Sequence, residues 1–144
     1  KRDLHMDVVD VPGAGAAGGL GAGMMAFAKA EKMRGIEAVM MLIQMEEHLK
    51  GADLVVTGEG RMDNQTAYGK APVGVSNLAA KQHIPVIAVV GGVALNTENV
   101  YDKGISLVLP IVNEPMSLDT AIENVHELAM NAGKSIGRIV KTWI

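Results

Sequence analysis

The residues best equipped for chemistry lie in one run, Thr57-Gly58-Glu59-Gly60-Arg61-Met62-Asp63-Asn64-Gln65-Thr66-Ala67-Tyr68-Gly69-Lys70-Ala71-Pro72. Carboxylates, cations, an amide and a hydroxyl alternate there with small or turn-forming residues, so the odd positions are able to face one side. Glu59 and Asp63 suit a hard metal ion or the acceptance of a proton, and Arg61 and Lys70 suit a carboxylate or phosphate. The same composition also describes a solvated surface loop with Arg61 paired to Asp63 or Glu59, an interaction worth less than ~1 kcal/mol. Position favours a site. The run follows the apolar Leu54-Val55-Val56, and α/β proteins keep their ligands just past the carboxyl ends of strands.

A second candidate is the glycine block Gly13, Gly15, Gly18, Gly19, Gly21 and Gly23. Gly13-x-Gly15-x-x-Gly18 is formally a dinucleotide fingerprint, which would make the chain an oxidoreductase fragment. The acidic residue that should follow about 20 positions on falls among Met33 to Glu37, at a helix start. Bare backbone N–H groups before a helix still suit phosphate, and a glycine-rich helix packed tightly on a neighbour suits the block equally well. Lys70 does not belong to a Walker A loop, because Asn64 and Ala71 stand where glycine and Ser or Thr are required. Ser76 lacks the glycine two residues on that a nucleophile elbow needs. His5, His48, His83 and His126 have no metal-ligand spacing and read as surface or boundary positions.

The elements that must position these residues alternate. Val8, Val9 and Val11 predict a short strand. Helical spacing from about Leu20 predicts a helix ending near Gly35, and a second follows from Ile36 through Val39, Met40 and Ile43, with Gly51 as its C′ residue. Asp53 to Thr57 predict a buried strand, followed by the polar loop. Pro72 opens a helix with Val75, Leu78 and Ala79 inward, and Pro85–Val90 and Ile105–Val112 predict two more strands. Ser117 caps one long amphipathic helix running to Val140. Apolar strands separated by helices indicate an α/β fold, layered α/β/α with a mainly parallel sheet.

The 144 residues suffice for one ordinary domain, and with three aromatic residue types present only once or twice the core must be aliphatic. A net charge of −3 offers no footprint for nucleic acid or an anionic membrane surface. No uninterrupted apolar run has the length of a membrane span. The absence of cysteine fits a reducing compartment, so a soluble, cytoplasmic protein is expected. Lys1 opens the chain where an initiator Met would stand, and a longer parent chain is expected.

The run Thr57-Gly58-Glu59-Gly60-Arg61-Met62-Asp63-x-Gln65-Thr66-x-x-Gly69-Lys70-Ala71-Pro72 closely resembles the signature of the bacterial glycerate kinases of the type I family. Pro12-Gly13-Ala14-Gly15-Ala16-Ala17-Gly18-Gly19-Leu20-Gly21 resembles a second block of that family, at the expected distance, and Pro85-Val86-Ile87-Ala88 and the last helix also fit. The resemblance implies transfer of the ATP γ-phosphoryl group to D-glycerate with Mg2+, commonly giving 2-phosphoglycerate. It implies a two-domain fold of which this chain is the carboxyl-terminal part. Residues 1–49 would be the tail of an inserted α/β domain and 50–144 the end of the first, with the amino-terminal half of the enzyme missing. On that reading Glu59, Asp63 and Lys70 are catalytic, with Asp63 a candidate metal ligand. Arg61, Gln65 and Thr66 contact the substrate, and Gly13, Gly15, Gly18, Gly19 and Gly21 contact phosphate. The division of roles between Glu59 and Asp63 stays open, as does a folded fragment without turnover.

Overall fold

The structure, a computed structural model, describes residues 6–66 and 69–143; His5, Ala67 and Tyr68 lie outside the described residues. Two compact units divide between Arg34 and Gly35.

In the first unit the strand predicted at Val8–Val11 does not form, and residues 9–15 run through turns and bends. A strand needs a partner for its backbone groups, and among the described residues of this unit the only regular element is a helix. The Ala14 amide donates to the Val11 carbonyl instead, at 2.9 Å. Helix α1 spans Ala16–Ala28, but Ala17, Gly18 and Gly19 are left-handed inside it, so regular helix begins at Leu20 as the spacing predicts. It stops at a left-handed Lys29, short of Gly35.

The second unit opens with α2 (Gly35–Leu42) and α3 (Met45–His48), where one helix is predicted. Gln44 adopts φ 52° between them and breaks the ladder. Ile36 and Met40, one turn apart on α2, lie against α4 (Ala71–Ala80) at Gly74, where a Cβ would collide with Ile36. Strands β1 (Val55–Met62), β2 (Val86–Val93) and β3 (Leu107–Pro110) form an all-parallel sheet in the order β1-β2-β3.

Helix α4 crosses from β1 to β2 and packs on both. Pro72 sits in its first turn, where its missing N–H costs nothing. Its buried face is Pro72, Val73, Ser76 and Ala79; of the predicted inner residues, Val75 and Leu78 are only partly buried. Two aliphatic clusters hold the sheet: Met62, Val73, Ala88, Val90, Val100 and Ile105, and Leu49, Val55, Ala79, Ile84 and Val86. Ser76, fully buried, donates to the Lys103 carbonyl at 2.7 Å and ties α4 to the 3-10 helix Glu98–Lys103.

Ser117 caps α5 (Leu118–Glu123), its hydroxyl accepting from the Thr120 amide. The long helix predicted from there is interrupted at Asn124, and α6 (Val125–Trp143) carries the buried stripe Leu128, Ala132 and Ile136. His48, His83 and His126 are exposed. Among the described residues no helix is long and apolar enough to cross a membrane.

Candidate active site

Strand β1 runs further than predicted, through Gly58 to Met62, because Arg61 and Met62 pair in register with Gly92 and Val93 of β2. The polar loop therefore begins at Asp63, and Glu59 stands on a strand held by a neighbour. Thr57 and Glu59 are half-buried while Val56, Gly58 and Gly60 are exposed; after Glu59 the alternation slips, so Met62 enters the core and Arg61 points out. The odd positions thus do not all share one side. The apolar demand of Met62, fully buried in its cluster, overrides the simple pleat.

From Asp63 the chain turns back. The Asp63 Oδ1 atom accepts the Gln65 amide at 2.9 Å and the Thr66 amide at 3.2 Å, a side-chain-closed turn of the kind Asp favours. Gly69, at φ 108°, then admits a left-handed step into Lys70, the N-cap residue of α4. Lys70 reaches back over the turn: its Nζ lies 3.1 Å from Asp63 Oδ1 and 3.9 Å from Glu59 Oε2. No side chain caps α4, so its first amide groups and the Lys70 ammonium together favour an anion there.

Thr66 joins the two carboxylates. It is fully buried, its hydroxyl donates to Glu59 Oε1 at 2.7 Å, and its oxygen accepts the Asp63 amide at 3.1 Å. Its hydroxyl thereby ties Glu59 to the Asp63 turn. The Lys70 hydrogen bond, opposed by partial burial and assisted by the Gln65 amide, holds the Asp63 carboxyl below its ordinary 3.8. Gln65 and Arg61 are exposed, and among the described residues Arg61 makes no ion pair.

The structure therefore brings together Glu59, Asp63, Thr66 and Lys70 and leaves Arg61 outside that cluster. Sequence spacing contained no sign of the Thr66 clamp, although a threonine three residues after an aspartate is the pattern of a locally closed turn.

The glycine block, in the first unit, is partly explained by packing. A Cβ on Gly21 would strike the Gly13 carbonyl oxygen, and the Ala22 amide donates to the Ala14 carbonyl at 2.9 Å, so the start of α1 doubles back tightly against residues 13 and 14. Gly18 and Gly19 are left-handed, while Gly15 is not and meets nothing within 4 Å. With no strand before it among the described residues, the fingerprint lacks the strand–turn–helix setting that a dinucleotide site requires, and the oxidoreductase alternative loses its structural basis.

Comparison with known proteins adds to this geometry. A family model described as the glycerate kinase family matches residues 1–141. The chain belongs to the glycerate kinase family. It is 47% identical over 141 residues to a glycerate kinase of Bacillus cereus, covering 98% of this chain and 37% of that protein. With the glycerate 2-kinase of Escherichia coli it shares 44% identity over 136 residues, 94% of this chain and 36% of the relative. A crystal structure from Salmonella typhimurium LT2 with a glycerate kinase 2 designation superposes with a TM-score of 0.73 at 41% identity, over 98% of this chain and 36% of that one. The chain thus spans little more than a third of these relatives' length.

The clamp yields a prediction within this kinase family. Thr66→Val leaves the Asp63 amide without an acceptor and Glu59 without its donor, so stability is expected to fall by about 1–3 kcal/mol and kcat to fall with it. Thr66→Ser retains the hydroxyl and is expected to restore kcat. Urea unfolding and steady-state rates of the two variants in the full-length enzyme provide the check, and a Ser variant as impaired as Val would reduce Thr66 to a packing role.

Proposed function

We propose that the parent enzyme is a glycerate kinase that transfers the ATP γ-phosphoryl group to a hydroxyl of D-glycerate, giving 2-phosphoglycerate, and that this chain supplies its catalytic carboxylates. Residues 1–49 would end an inserted α/β domain and 50–144 the first domain, the remaining substrate contacts coming from the amino-terminal part. The single observation that carries the reading is the cluster in which one lysine, at a helix N-terminus, faces two carboxylates tied together by a buried threonine.

Phosphoryl transfer asks for positioning and charge neutralisation more than for covalent chemistry. The glycerate hydroxyl oxygen bonds to the γ-phosphorus as the bond to the bridging oxygen of ADP breaks, and the hydroxyl proton passes to a base. Glu59 is assigned that role: it stands on β1 with Oε1 accepting the Thr66 hydroxyl and Oε2 3.9 Å from Lys70, whereas the Lys70 hydrogen bond holds the Asp63 carboxyl below its ordinary value and makes it a weak proton acceptor. Lys70 and the first amides of α4 receive a phosphate or the glycerate carboxylate. Gln65 contacts the substrate from the exposed side of the loop.

Among the described residues no group of three or more His, Cys, Asp or Glu side chains is arranged to cage a metal. The carboxylate pair fits Mg2+ nonetheless, since that ion takes one or two carboxylates and completes its shell with water and substrate phosphates. Asp63 would hold it through Oδ2, which accepts no hydrogen bond among the described residues. When bound, Mg2+ would neutralise charge on the phosphates.

The test is ATP-dependent phosphorylation of D-glycerate by the full-length protein, with the product's phosphate position read by NMR. Formation of 2-phosphoglycerate is expected. A purified, folded enzyme that leaves D-glycerate untouched in the presence of ATP and Mg2+ would overturn the assignment.

A further inference from the structure

A cleft of about 480 Å3 opens at the carboxyl end of the sheet, within the ~300–1,000 Å3 of small-molecule sites. Its floor is the backbone of Gly60, Gly91 and Gly92, and apolar side chains such as Ile111, Leu118 and Ala121 wall it, with Arg61 at its edge. None of these residues belongs to the carboxylate cluster.

The floor glycines divide into two kinds. A Cβ at Gly91 would strike the Gly60 carbonyl oxygen, so the fold itself requires that glycine. Gly60 and Gly92 are different: a Cβ on either would meet nothing within 4 Å, and neither has the left-handed backbone that favours glycine. Glycine in a strand interior weakens the strand and commonly marks close approach by a ligand or another backbone. Two neighbouring strands carry this cost where they line one opening.

We propose that this cleft receives the base and ribose of the nucleoside triphosphate, the flat base lying on the Gly60 and Gly92 backbone between apolar walls. This rests on the phosphoryl-transfer reading. Three features favour a nucleotide. The walls are apolar and the glycine floor carries no side chain, which leaves a flat space between them for the face of a base. Arg61, with no ion pair among the described residues, presents a forked cation suited to phosphate oxygens at the mouth. The cleft and the carboxylate cluster share one stretch of chain, since the cleft-lining Gly60 and Arg61 lie between Glu59 and Asp63. Glycerate, small and anionic, has no use for the apolar walls.

The experiment uses the full-length enzyme with Gly92→Val and, separately, Ala121→Trp, each of which places bulk in the cleft without touching the carboxylate cluster. ATP binding is measured by calorimetry with the non-hydrolysable β,γ-imido analogue, alongside KM for D-glycerate and the melting temperature without ligand. Both variants are expected to weaken nucleotide binding about tenfold or more, with the glycerate KM and the melting temperature within error of the parent. Adenosine alone is expected to compete with the analogue in the parent and not in the variants. Unchanged nucleotide affinity in both variants would overturn the proposal. So would a lowered melting temperature with intact nucleotide binding, which would mean that another part of the enzyme covers the glycines, or a rise confined to the glycerate KM. Because nucleotide binding is read without turnover, failure here is distinct from failure to phosphorylate glycerate.

Discussion

Glu59→Gln in the full-length enzyme is expected to lower kcat by about a hundred- to ten-thousand-fold, the range general-base removal commonly produces, with little loss of stability. The amide is nearly isosteric, and its oxygen still accepts the Thr66 hydroxyl that now bonds Glu59 Oε1 at 2.7 Å. What disappears is the basic carboxylate oxygen beside Lys70, 3.9 Å away. Steady-state kinetics against both substrates, paired with urea unfolding, separate the two effects. A variant retaining near-parental kcat would make Glu59 a structural acceptor for Thr66 and move the proton to another group.

Asp63→Asn is expected to cripple turnover to a similar degree by a different route. Asparagine keeps an oxygen for the Gln65 and Thr66 amides at the positions where Asp63 Oδ1 accepts them, so the turn survives. The charge that attracts Lys70 and would hold Mg2+ is lost, and the Mg2+ concentration needed for half-maximal rate is expected to rise. The same substitution reports on pH. Because the folded protein holds the Asp63 carboxyl below 3.8, its contribution to stability is fully present above that value and disappears as pH falls through the lowered one. The parent should therefore lose an increment of stability in acid, below about 3.8, that the Asn variant lacks. Identical acid unfolding profiles, or near-normal kcat, would return Asp63 to the status of an ordinary loop residue.

Much of the candidate site was legible because it is a local pattern. The residues from Glu59 to Lys70 are contiguous, Pro72 marks a first helical turn whatever lies around it, and Ser117 caps a helix through its own neighbour three residues on. Where the reading went astray, the deciding interactions came from elsewhere in the chain or from single backbone conformations. The valines at 8, 9 and 11 had strand propensity but no partner strand among the described residues, and propensity without pairing leaves backbone groups to turns. Gln44 and Asn124 interrupt helices that the apolar spacing carries straight through, because periodicity records which face is apolar and not whether one residue leaves the helical region.

By itself the sequence determined the family, the alternation of helix and parallel strand, and the set of ionisable groups gathered after Val56. All three depend on residue identity and short-range order. Only the tertiary structure decided that β1 persists to Met62, since that depends on pairing with residues 31 positions away, as in Arg61 with Gly92. It alone turned Thr66 inward to join Glu59 to Asp63, sent Arg61 to the cleft, and separated the glycine the fold requires from the two it does not. Those outcomes are fixed by which side of a strand a residue faces and what stands opposite it, a quantity that pairing and burial create and that no linear spacing contains.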